Sequence, residues 1–181
     1  TGSLSAETTG IQNVAIGKDA LLVQVGASSN VAVGAFAMDA NTTGANNVAV
    51  GLDALGGNTT GAANTAVGTS ALKANTTGVD NTAVGHNALI LATTGTSNVS
   101  VGAFSSDAVT TGANNTAGGT GSLGAETTGI SNTAIGYHAL TAQAGATGNT
   151  AVGKDTGDAL TTGSNNTLVG LDAGGALTTG A

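Results

Sequence analysis

The chain of 181 residues has no cysteine, no proline and no tryptophan, and aromatics are only 2% of it. Without cysteine there is no disulfide framework and no thiolate metal site. Without proline it is not a polyproline linker, and its 31 glycines do not recur every third residue as collagen requires. With so few large side chains, a thick globular core cannot be assembled. Charge is scarce too, at 7%, and its sign is lopsided: three lysines and no arginine stand against ten acids, for a net charge of -7. That balance excludes nucleic acid and anionic membranes as expected partners. No uninterrupted apolar run reaches the length of a membrane span, so membrane insertion is not expected either. Hydrophobic residues nevertheless make up 40%, which separates the chain from charged, apolar-poor disordered sequences.

What is present is a repeat. A pentapeptide of the form Asn-(Val/Thr)-Ala-(Val/Ile)-Gly starts at Asn13, Asn30, Asn47, Asn64, Asn81, Asn98, Asn115, Asn132, Asn149 and Asn166, always 17 residues apart. Each closes on a glycine: Gly17, Gly34, Gly51, Gly68, Gly85, Gly102, Gly119, Gly136, Gly153 and Gly170. Thr-Thr-Gly follows on the same grid, at positions thirteen to fifteen counted from the Asn, in every repeat but two. The exceptions, Val25-Gly26-Ala27 and Ala144-Gly145-Ala146, lie seven repeats apart, and a shift of 119 residues superposes 40 identities in 62, pairing Glu7 with Glu126 and Gln24 with Gln143. We therefore expect a seven-coil super-repeat, with residues 1–181 a single repetitive segment of a longer fibre and no internal domain boundary.

A period of 17 is too short for helix-pair repeats. It fits one coil of an all-β, parallel β-solenoid, about ten to eleven coils in all. Positions one to five and eight to eleven are expected as strands, with the glycines at five and fifteen as corners. Alternation places the Val/Thr and Val/Ile of positions two and four on one side and Ala at three on the other. The aliphatic side is the expected coil interior, and the alanine side a shallow face for another chain. Positions six, seven, ten, twelve, sixteen and seventeen vary and carry nearly all the charge, so they are expected in water. The invariant Asn is expected to form a ladder of like amides along the axis. Ser106 and Gly118 replace an aliphatic in two neighbouring coils, which marks an expected weak point.

The pentapeptides Asn13-Val14-Ala15-Ile16-Gly17 and Asn30-Val31-Ala32-Val33-Gly34 resemble the head repeats of trimeric autotransporter adhesins. The longer unit Thr161-Thr-Gly-Ser-Asn-Asn-Thr-Leu-Val-Gly170 is similar to repeats of phage tail fibres and related bacterial surface fibres. The resemblance spans the whole chain. It implies a homotrimeric β-roll, its chains parallel and in register, left-handed in the adhesin heads, flanked by further fibre domains and often followed by an intramolecular chaperone. The implied location is extracellular, on a virion tail or a bacterial surface.

Other motifs carry less. Gly119-Thr-Gly-Ser-Leu-Gly124 spells a dinucleotide fingerprint but lacks the strand-turn-helix context that gives it meaning. His86 and His138 fall three coils apart, too far to share a metal. Asp19, Asp53, Asp155 and Asp172 share position seven, and Asp39, Asp107 and Asp158 share position ten, as solvated corner charge. No Ser/His/Asp set recurs, and no catalytic, metal or cofactor site is expected. The Asn-x-Ser/Thr sequons at Asn41, Asn58, Asn75, Asn98, Asn114 and Asn165 are by-products of the repeat. Phe36 and Phe104, both at position seven, are candidates for lateral contacts. The expected function is a structural shaft that holds a receptor-binding tip away from its base. The alternative is direct binding, through threonine columns presented to ice or through an adhesive surface.

Overall fold

The computed structural model describes residues 2–4 and 9–180. Its regular elements are ten three-residue strands: β1 (Val14–Ile16), β2 (Val31–Val33), β3 (Val48–Val50), β4 (Thr65–Val67), β5 (Thr82–Val84), β6 (Val99–Val101), β7 (Thr116–Gly118), β8 (Thr133–Ile135), β9 (Thr150–Val152) and β10 (Thr167–Val169). They form one sheet in chain order, every neighbour parallel and in register with the residue 17 places on, as in Ala49 opposite Ala66. The fold is thus an all-β parallel solenoid, and its ten strands bound nine complete coils. At about 4.8 Å per coil this is a rod roughly 43 Å long.

Two expectations are corrected. The first concerns which side of the strand is inside. The alanines of position three are buried, from Ala32 to Ala151, while positions two and four point outward and remain partly or largely exposed, with Val101 at 46%. The single chain closes around its smallest side chains because the leucine of position nine already fills the lumen: Leu21, Leu55, Leu72, Leu89, Leu123 and Leu140 are fully buried. Valine at position three would compete for that volume. The alanine face is therefore consumed within one chain and is not a surface for another.

The second correction is that positions eight to eleven form no strand among the described residues. Residues at positions seven and nine take positive φ, as at Asp53 (55°) and Leu55 (53°), so the chain curls tightly and turns two consecutive side chains, at eight and nine, into the lumen. Position seventeen is also left-handed, as at Asn46 (60°) and Asp80 (59°). Left-handed backbone explains why positions seven and seventeen favour Asp, Asn, Ser and Gly, which tolerate it best. Leucine does not, and its burial at position nine offsets a cost of about 1–2 kcal/mol.

The glycines repeated at positions five and fifteen have different reasons. At position five, Gly51 has φ +139°, and a Cβ there would also stand 2.5 Å from the carbonyl oxygen of Gly68 in the next coil. At position fifteen φ is ordinary, but the coils come so close that a Cβ on Gly95 would lie 2.5 Å from the oxygen of Gly112.

Candidate functional site

The repeated polar side chains are directed along the axis. Each position-one Asn accepts, through Oδ1, the backbone N–H of the next Asn, for example Asn98 N–H to Asn81 at 3.0 Å. Its Nδ2 donates to the position-fifteen carbonyl of its own coil, as Asn81 does to Gly95 at 2.8 Å. From Asn30 to Asn149 these amides are buried, and the column runs from Asn13 to Asn166. The position-thirteen threonines add a second column, in which the hydroxyls of Thr42 to Thr110 and of Thr161 donate to the next Thr carbonyl, as Thr59 does to Thr76 at 2.9 Å. Their neighbours at position fourteen, such as Thr60 and Thr77, are exposed. The two adjacent threonines thus divide between stacking and solvent.

Position twelve, expected in water, is a further buried column. Asn41 donates to Gln24 Oε1 at 3.2 Å, Asn58 to Asn41 Oδ1 at 2.8 Å and Asn75 to Asn58 Oδ1 at 2.7 Å. The run stops at Ala92, which leaves Asn75 Oδ1 buried without a donor. The sequons at Asn41, Asn58, Asn75 and Asn98 are therefore internal, whereas Asn114 and Asn165 are exposed. Farther along the same column sits Glu126, fully buried and held by four backbone N–H groups and the Gln143 amide. The sequence offered a signal for it, since Glu7 and Glu126 are the chain's only glutamates and occupy the same position. Glu7 and Thr8 lie outside the described residues.

The variable corner at positions six and seven gathers the aromatic, histidine and most lysine side chains. Phe36 sits beneath Lys18 Nζ, 4.7 Å from its ring centre, and Phe104 meets the edge of His86 at 5.0 Å. Each Phe packs on the residue at position six of the preceding coil. Tyr137 and His138 stack on one another at 3.9 Å. The position-seven acids meet the lysines: Asp53 pairs with Lys73 at 3.0 Å, Asp19 lies 3.7 Å from Lys18, and Asp155 pairs with Lys154. Burial pushes the Asp39 and Asp107 carboxyls above the usual range, and for Asp39 the nearby Asp53 charge adds to this. Among the described residues no three of His, Asp and Glu come together as a metal-binding group, and no cavity opens between coils. Gly119 to Gly124 cross a corner after β7, with no helix to follow.

The expected weak point loses its basis. Gly118 lies in the outward slot of β7, covered by Ile135, and removes nothing from the lumen. The coil of Ser106 carries Val109, fully buried, at position twelve. Around it a polar patch is satisfied internally: Ser100 Oγ donates to the Ser105 carbonyl at 2.8 Å, and the Ser105 and Ser122 hydroxyls meet at 3.0 Å. This patch divides the apolar interior into two clusters, one ending at Val109 and the other starting at Ala117.

Comparison with protein-family models, with curated proteins and with solved structures returned no match.

Proposed function

We propose that this chain is a shaft segment of an extracellular fibre, of the tail-fibre or bacterial surface-adhesin kind, whose task is to set distance and stiffness. The observation that carries this reading is the direction of the repeated interactions. Buried Asn, the position-thirteen Thr and the lumen leucines all bond or pack along the axis, coil on coil. A homotrimer remains part of the proposal, with its contact surface moved: the alanines are interior, so the outer face of the sheet, Val and Thr at two with Val and Ile at four, is the apolar strip left for two further copies.

Direct binding to an ordered surface such as ice draws on one feature, the exposed threonine column at position fourteen. One set of measurements separates the readings. Light scattering of the isolated chain is expected to give three copies, lost on Val84→Glu and Val101→Glu in the outer face, with neither thermal hysteresis nor glycan or cell binding at micromolar concentration. Binding abolished by Thr60→Lys and Thr77→Lys would replace the shaft reading with the second.

A further inference from the structure

Both glutamates of the chain, Glu7 and Glu126, stand at position twelve, one coil before the only two coils with glycine at position fourteen, Gly26 and Gly145. Those same two coils are the ones with glutamine, Gln24 and Gln143, at position twelve. The structure explains the pairing at Glu126. In an ordinary joint the N–H groups of positions thirteen and fourteen both donate to the position-thirteen carbonyl of the next coil: Thr59 and Thr60 reach Thr76 O at 3.0 and 3.1 Å. Between the coils of Asn115 and Asn132 this fails. Thr127 and Thr128 N–H donate instead to Glu126 Oε1 at 2.8 and 3.0 Å. From the coil beyond, Gly145 N–H donates to the same oxygen at 2.8 Å.

The peptide joining Ala144 to Gly145 is therefore reversed: it faces the preceding coil with its N–H, where an ordinary coil presents a carbonyl. Reversal places residue 145 at φ +72°, a conformation glycine takes without cost. Glu126 supplies the acceptor that the reversed peptide withdraws. Its other oxygen accepts Gln143 Nε2 at 2.9 Å, and Gln143 Oε1 accepts Asn149 Nδ2 at 2.8 Å, which ties the joint into the Asn ladder. On its far side Ala144 N–H keeps the usual position-thirteen partner, Thr161 O at 3.0 Å.

We propose that this joint is a register lock, a matched pair of coil surfaces that lets the coil of Asn132 stack on the coil of Asn115 and on no ordinary coil. Lumen leucines, ladder asparagines and outer valines fit almost any coil on any other, so slipping by a whole coil, or exchanging coils between chains, costs little elsewhere in the rod. At the lock it costs a great deal. The reversed corner on any coil without Glu126 leaves buried N–H groups unpaired, and Glu126 beneath an ordinary coil meets a carbonyl oxygen. The seven-coil spacing of the Glu and Gln-x-Gly-Ala pair would place one address in each super-repeat.

The test is a cycle on the 181-residue chain, refolded from urea. One half is Glu126→Asn. The other replaces the corner by the common sequence through Gln143→Asn, Ala144→Thr, Gly145→Thr and Ala146→Gly. Each half alone is expected to lower the urea midpoint, and the two together to restore it. Register is read by oxidation of cysteine pairs at position eleven. Ala125→Cys with Ala142→Cys reports the native joint, and Ala125→Cys with Ala159→Cys reports a slip of one coil, since only adjacent coils lie within disulfide reach. The slipped cross-link should be absent in the parent background and appear in the five-substitution variant, which is folded but unlocked. Additive losses from the two halves, a neutral Glu126→Asn, or a combined variant that forms only the native cross-link would each overturn the lock.

Discussion

A single Asn side chain in this rod serves four groups. Asn81 Oδ1 takes both the backbone N–H and the Nδ2 of Asn98, while its own Nδ2 reaches Gly95 O at 2.8 Å and Asn64 Oδ1 at 3.2 Å. Alanine there leaves the buried Asn98 N–H and the Gly95 carbonyl without their partners, each at a cost of about 1–3 kcal/mol where no water enters, while Asn64 Oδ1 keeps the Asn81 N–H. Asn81→Ala should lower unfolding stability by about 2–4 kcal/mol in urea titrations. Asn166→Ala, at a half-buried position in the last coil, should lose a fraction of that. Such ladders have polarity, and one end must carry an acceptor that nothing serves, as Asn75 Oδ1 does. Extending the run by Ala92→Asn moves that acceptor by one coil and leaves the balance nearly unchanged. The ladder Asn was legible in the sequence because an invariant polar residue in a rod of small side chains has few other uses. The left-handed backbone at positions seven, nine and seventeen was not, since leucine at nine argues against it and only the Asx and Ser content of seven and seventeen hints at it.

Within one coil, positions nine and twelve share a single volume. Where nine is Leu or Met, twelve is Gln, Asn, Ala or Glu; where nine is Ser106, Gly157 or Gly174, twelve is Val109, Leu160 or Leu177. The geometry brings Leu168, at position three of the next coil, into that volume as well: a Cβ on Gly157 would lie 2.9 Å from Leu168 Cδ1 and 3.0 Å from Leu140 Cδ2, against 3.9 Å from Leu160 Cβ. Gly157→Leu alone should overpack the coil and cost about 1–3 kcal/mol. Leu160→Asn alone should open a void and cost about 2–5 kcal/mol. The common arrangement needs Leu168 cut back too, so Gly157→Leu, Leu160→Asn and Leu168→Ala together should recover most of these losses, as a thermal mutant cycle would show; simple additivity would reject the shared volume. The period, the parallel stacking and the corner glycines could be read from the spacing of 17. The inside of the strand could not, because alternation names two faces without saying which one closes, and that choice depended on a leucine five residues beyond the strand.

At the scale of the whole rod, the unit of length is the coil. Backbone bonds between coils repeat almost without variation: Val31 N–H to Asn47 O, Thr65 N–H to Asn81 O and Thr133 N–H to Asn149 O are all 2.8 Å. Stability in such an array is a sum over neighbouring pairs. A coil removed whole takes one pair with it and leaves the rest intact. Deleting 17 residues from Thr65 to Asn81 joins Asn64 to Thr82 with every ladder in phase, and should give a folded rod shorter by about 4.8 Å, measurable by small-angle scattering. Deleting 16 or 18 residues at the same place puts the first Asn beyond the cut one step off Asn64 while the later coils keep their own spacing of 17, so the joint must either bulge or turn its strand over, alanine outward and valine toward the lumen. Those two chains should lose the cooperative unfolding transition of the parent, with the break between Asn64 and the first displaced strand. A rod that accepted all three deletions equally would show that axial register does not hold it together.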